Sequence, residues 1–130
     1  MASAGNDTIF ALASGAGRSA IAVIRLSGPK SRFVLETIAA PCPRPRFAAL
    51  RRLRHPVSGL VLDEALVLYF AAPRSETGED CAELQLHGSR AVVASVIEAL
   101  SGLPGLRTAE PGEFAARALD AIIDAGFEVP

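Results

Sequence analysis

Hydrophobic positions along the chain follow two periods, one near two residues and one near three and a half. TIFALA (Thr8–Ala13) and AIAVIRLSG (Ala20–Gly28) are short apolar runs rich in β-branched residues. SGAGRS separates them, and Gly15 and Gly17 let it turn sharply, so the pair reads as two strands joined by a brief loop. In SGPKSRFVLETIAA, Ser27, Gly28 and Pro29 mark a helix start, and Phe33, Val34, Leu35 and Ile38 make an apolar stripe ending before Pro41. PCPRPR (Pro41–Arg46) is too rich in proline for a helix and reads as an extended connector.

FAALRRL and GLVLDEALVLYF then suggest an antiparallel pair turning at HPVSG (His55–Gly59). Leu66–Phe70 is continuously apolar, which predicts a strand inside the sheet. After the polar loop PRSETG comes GEDCAELQLHG. Alternation puts Ala82, Leu84 and Leu86 on one face and Cys81, Glu83, Gln85 and His87 on the other. Val92, Val93, Val96, Ile97 and Leu100 recur at helical spacing, with Ser89 as N-cap and Gly102 as C-cap. A short strand near LRTA and a helix opened by PGEF complete the order β-β-α-β-β-β-α-β-α. The expected fold class is α+β, a mixed sheet of about five or six strands with three helices packed on it.

Composition narrows the classes of function. Half of the 130 residues are hydrophobic, 21% are charged and the formal net charge is -1, as in a globular domain with no global pull toward nucleic acid. No apolar run approaches the ~20 residues that span a bilayer, so no membrane partner is expected. MASAGND lacks the layout of a secretory signal. Cys42 and Cys81 form neither a disulfide framework nor a paired zinc knuckle, and the expected location is cytoplasmic.

GEDCAELQLHG concentrates common ligand types, yet strand alternation explains most of the cluster. Zinc needs ligands converging within ~2.0–2.3 Å, whereas Cys81, Glu83 and His87 lie along a line rising ~3.3 Å per residue. The same spacing keeps Cys81 and His87 from acting as a nucleophile pair. No metal site and no catalytic residue is therefore assigned. G-x-x-x-x-G-K-S/T is absent, which excludes a GTP-binding P-loop from this chain.

Two residues stand out. Glu83 is either a solvated surface carboxylate or an acceptor for a planar donor pair such as a guanidinium, a guanine or the 2-amino-4-oxo edge of a pterin. Arg25, on the face of Ile21 and Val23, either ends its strand in water or meets an anion or acceptor. Arg44, Arg46, Arg51, Arg52 and Arg54 crowd one segment that either touches RNA phosphates or guards an edge strand with charge.

Three segments, DTIFALASGAGRSAIAVIRLSGP, LDEALVLYFAAPRSETGEDCAELQLHG and GLRTAEPGEFAARAL, occur in this order between about Asp7 and Ala118. Together they resemble the N-terminal domain of the tRNA-modification GTPase family MnmE, also called TrmE. The resemblance implies a domain over residues 1–118 that dimerises and binds 5-formyltetrahydrofolate or a related tetrahydrofolate. It further implies a fold similar to folate-binding domains of one-carbon enzymes such as the glycine-cleavage T-protein. The resemblance also implies that full-length members carry helical and GTPase domains and work with MnmG (GidA) on the wobble uridine of tRNA, and the expectation it carries is that this module is not catalytic by itself. Carried over by position, the cofactor-binding residues are Arg25 and Glu83.

The chain departs from the pattern at several positions. Glu76 stands where an aromatic residue is usual, Ser89 follows Gly88, and Ser14–Gly17 replaces the early loop. LDAIIDAGFEVP ends the chain, giving a divergent tail over residues 119–130, and Ile123 occupies the place of an expected basic contact. Two alternatives remain open: an interaction module without folate affinity, and a stand-alone folate-dependent one-carbon enzyme. The latter needs an acidic proton acceptor beside the folate, which the sequence does not clearly supply.

Overall fold

The computed structural model describes residues 7–13 and 21–126. The element order is β1 (Thr8–Leu12), β2 (Ile21–Ser27), α1 (Ser31–Ile38), β3 (Ala49–Arg54), β4 (Val61–Phe70), β5 (Cys81–His87), α2 (Arg90–Ser101), β6 (Leu106–Thr108) and α3 (Glu113–Asp124). This is the order predicted from the sequence. The SGAGRS loop and the MASAGN start lie outside the described residues, as do the last four positions.

The strands form one six-stranded sheet in the order β3-β4-β5-β2-β1-β6. All neighbours pair antiparallel except β1 and β6, which run parallel. The sheet is therefore mixed, and the fold class is α+β. β5 and β2 lie at its centre with Arg25 directly opposite Glu83.

One face of the sheet makes the core. Ala22, Ile24, Leu26, Ala65, Val67, Ala82, Leu84 and Leu86 pack there against Val34, Leu35 and Ile38 of α1 and Val93, Val96 and Leu100 of α2. Alternation put these strand residues on one side, and burial of their apolar surface holds the layers together. In α2 the Ser89 side chain accepts from the Val92 amide at 3.2 Å, the expected N-cap. Gly102 occupies the C-cap position with a right-handed φ of -84°; the left-handed turn falls on Gly105 instead, at φ 80°.

One expectation requires correction. Phe33 is 47% exposed and lies off the core. The buried stripe of α1 is Ser31, Val34, Leu35 and Ile38, the i, i+3, i+4, i+7 set that one helix face permits. β4 lies inside the sheet as expected, with its apolar run covered on one side: Ala65, Val67 and Tyr69 are buried, whereas Leu66 is 42% exposed. The sheet's second face is open around Leu50 and Leu66, paired neighbours in β3 and β4.

Arg51, Arg52 and Arg54 line the edge strand β3. Arg51 Nε donates to the Pro41 carbonyl at 2.8 Å, Arg52 lies 3.8 Å from Glu64, and Arg54 donates to the Gly59 carbonyl at 3.2 Å. These charges decorate an edge as expected of a strand guarded against pairing with other chains.

Leu84 is fully buried on the central strand β5. Leu84→Ala is expected to lower the unfolding free energy by about 2–5 kcal/mol, while Val57→Ala, at a position 89% exposed, should stay within about 0.5 kcal/mol. Urea titration of both variants measures the contrast.

Candidate functional site

The open face of the sheet carries the polar side of β5, and α3 closes one end of it. A cavity of about 700 Å³ lies there, lined by Arg25, Phe70, Glu83 and Phe114, with Arg46, Arg74 and Glu76 around it. That size falls within the ~300–1,000 Å³ of small-ligand pockets.

Glu83 stands on the floor, its side chain 23% exposed. One of its oxygens accepts from Gln85 Nε2 at 3.0 Å, and the other lies 3.9 Å from Arg25 Nε. Arg25 and Glu83, singled out from the sequence, are thus brought together by strand register. Arg25 has a closer partner in Glu76 at 3.1 Å. Glu76 was visible in the sequence only as a departure from the family pattern; its role emerges because the loop after β4 folds back across β2.

Cys81 lines the cavity beside Glu83, its thiol engaged within the protein, whereas His87 is turned to solvent. The Cys81 sulfur lies 3.1 Å from Thr77 Oγ1 and is buried. His87 is bound through its ring and its amide to Asp63, at 2.7 and 2.8 Å. Among the described residues no group of three or more His, Cys, Asp or Glu is arranged to hold a metal.

The TGED and PGEF motifs build the frame of the cavity. Ser27 Oγ shares a hydrogen bond with Thr77 Oγ1 at 2.6 Å and donates to Glu79 at 2.7 Å. Glu79 in turn receives Arg117 of α3 at 2.9 Å. Gly78 has φ 77°, and a Cβ there would stand 2.8 Å from the Ala121 Cβ, so glycine lets the loop approach α3 closely. Asp80 Oδ1 accepts from the Ala72 amide at 2.7 Å, closing the loop on itself.

At the start of α3, Glu113 takes a two-point contact from Arg107 at 2.9 and 2.6 Å and meets Arg117 at 3.3 Å. Phe114, the next residue, is thereby set as a wall of the cavity. Phe70 and Phe114 escaped the sequence reading because their convergence requires the end of β4 and the start of α3 to meet. Ile123, on the same helix, is 53% exposed. α3 itself runs without interruption from Glu113 to Asp124, through the position where the tail was expected to begin.

This frame coincides with a family signature. The model of the GTP-binding protein TrmE N-terminus matches residues 8–121. The chain belongs to the TrmE N-terminal family. It is 57% identical over 113 residues to the tRNA modification GTPase MnmE of Beijerinckia indica, covering 87% of this chain and 25% of that protein. It is 56% identical over 115 residues to the mitochondrial 5-taurinomethyluridine tRNA synthase subunit of Mus musculus, covering 87% and 23% respectively. A mitochondrial tRNA modification GTPase of Schizosaccharomyces pombe is 52% identical over 113 residues, 85% of this chain and 23% of that one. The chain thus spans about a quarter of the length of these relatives. No helix of the described residues is long and apolar enough to cross a membrane.

The Arg107 contact, acting first, holds the Glu113 carboxyl at about 2, below its ordinary 4.5. A depressed carboxylate contributes stability above its unfolded pKa and loses it as pH falls through the folded one. Glu113→Gln is expected to cost about 2 kcal/mol at pH 7, as for a charge-assisted hydrogen bond. That deficit should shrink between pH 4.5 and 2. Urea midpoints across this interval decide it: a constant deficit would mean that the charge of Glu113 is not what stabilises the fold.

Proposed function

We propose that this domain binds a tetrahydrofolate of the 5-formyl type and homodimerises, as the N-terminal part of a GTPase that modifies tRNA. The observation that carries the folate reading is Glu83, a half-buried carboxylate beside Arg25 on the floor of a cavity walled by Phe70 and Phe114. A carboxylate accepts two parallel N–H donors, as the ring N–H and amino group of a pterin present them. Aromatic walls suit the faces of a flat heterocycle.

Arg25 offers donors to the ligand's carbonyl edge, and its pairing with Glu76 fixes where those donors lie. Gln85 holds the Glu83 carboxylate from the other side. When bound, the folate supplies a one-carbon unit. The residues of this chain bind and orient, and none is assigned a proton transfer. The tRNA belongs to the reading of the whole protein, following relatives whose names describe tRNA modification, and the MnmG (GidA) partner rests on the family resemblance alone.

Homodimerisation is read onto the open sheet face. Leu50, Leu66 and Ile21 are 58, 42 and 53% exposed there, an apolar surface that a second copy would cover. Sedimentation is expected to give a dimer for the wild type and a monomer for Leu50→Asp/Leu66→Asp. A wild-type monomer at high concentration would end the dimer reading.

For folate, calorimetric titration of 5-formyltetrahydrofolate is expected to show saturable heat with the wild type. Glu83→Gln should bind on the order of 10- to 100-fold more weakly, as when a charge-assisted pair is lost. Absence of heat with the folded wild-type domain would rule the folate reading out.

A further inference from the structure

The cavity has a second chemical character at its solvent side. Arg25 is countered by Glu76 and Glu83. Arg46 and Arg74 line the same cavity, and among the described residues neither lies within ion-pairing distance of a carboxylate. Their charge is left for something outside the fold.

Arg46 is held in place. Its amide donates to the Tyr69 carbonyl at 2.8 Å, its Nη1 donates to the Arg74 carbonyl at 3.2 Å, and its guanidinium lies 5.5 Å from the centre of the Phe70 ring. Its backbone sits at φ 70°, a conformation uncommon for a residue other than glycine. The chain accepts this geometry to bring Arg46 alongside the end of β4. A guanidinium resting near an aromatic ring keeps free N–H groups for a carboxylate. The neighbouring Arg44 instead lies over Phe47 at 4.2 Å and does not line the cavity.

The two ends are displaced along the sheet. Glu83 faces Leu68, whereas Phe70 faces Cys81, two residues or about 7 Å further toward the loop that carries Arg74. A ligand with a donor-bearing heterocycle at Glu83 can extend toward Arg46 and Arg74 if its far end is anionic.

We propose that Arg46 and Arg74 receive the carboxylates of the folate's glutamate tail, so that the site prefers folates bearing several γ-linked glutamates. This rests on the folate reading of the same cavity and adds to it which form of the ligand is selected. Each added glutamate brings one more carboxylate, and an exposed arginine pair yields a modest gain per contact.

The test is calorimetric titration of the mono-, tri- and pentaglutamate forms of 5-formyltetrahydrofolate, together with tail-less tetrahydrobiopterin. The proteins are the wild type, Arg46→Ala/Arg74→Ala, and Arg52→Ala as an arginine outside the cavity. Wild type and Arg52→Ala are expected to bind the pentaglutamate about three- to tenfold more tightly than the monoglutamate. That preference should weaken in high salt and vanish in the double variant, whose affinity for tetrahydrobiopterin should not change. Circular dichroism checks its fold, and Arg74→Gln, a milder change, should lose part of the preference. Equal affinity of the wild type for all tail lengths, or a preference that survives in the folded double variant, overturns the proposal and leaves folate binding standing. If neither folates nor tetrahydrobiopterin bind the wild type, the folate reading falls and this one falls with it.

Discussion

The arrangement of the site depends on one buried cation. Arg117 of α3 is 6% exposed, and a charge taken out of water costs several kcal/mol unless it is paired and hydrogen-bonded. Its guanidinium reaches Glu79, Glu113 and the carbonyls of Asp7 and Ser27. Four separate parts of the chain therefore converge on one side chain: the entry to β1, the end of β2, the loop before β5 and the first turn of α3. Losing one partner of such a group leaves the others desolvated without compensation. The network thus ties α3 to the sheet far more specifically than apolar packing alone would.

Phe114 is placed by that network, and so is the TGED loop that delivers Glu76 to Arg25. The division of labour is physical. Residues with the strongest hydrogen-bond geometry, Glu79, Glu113, Arg107 and Arg117, are spent on one another and form the frame. Those nearer the cavity, Glu83, Arg25, Arg46 and Arg74, are less completely satisfied within the protein. Polar groups available at a concave surface can be answered by a ligand, whereas the frame's groups already have their partners.

Much of this was legible before the fold was known. Alternation in CAELQLH sorted Ala82, Leu84 and Leu86 from Glu83 and Gln85, because a strand's side chains must leave on opposite sides. Ser89 was readable as an N-cap because a hydroxyl there answers an amide that the helix itself leaves unpaired. Apolarity was less informative where it did not alternate. The run LVLYF fits a strand covered on both sides, yet nothing in its residues states whether a second layer will arrive. Phe33 was misplaced for a related reason, since the rotation of α1 about its axis is set by the sheet it lies on.

The sequence by itself determined the order of elements, the mixed α+β class and the inward face of β5. These follow from periodicities of a few residues and need no knowledge of distant partners. Even Arg25 and Glu83 could be singled out as charged residues among apolar strand positions. The tertiary structure decided what those residues touch. Register set Arg25 across from Glu83, the return of residues 71–80 added Glu76, and docking of α3 supplied Phe114. Each of these contacts joins segments tens of residues apart, and only closure of the sheet and its buried ion pairs fixes which segments meet.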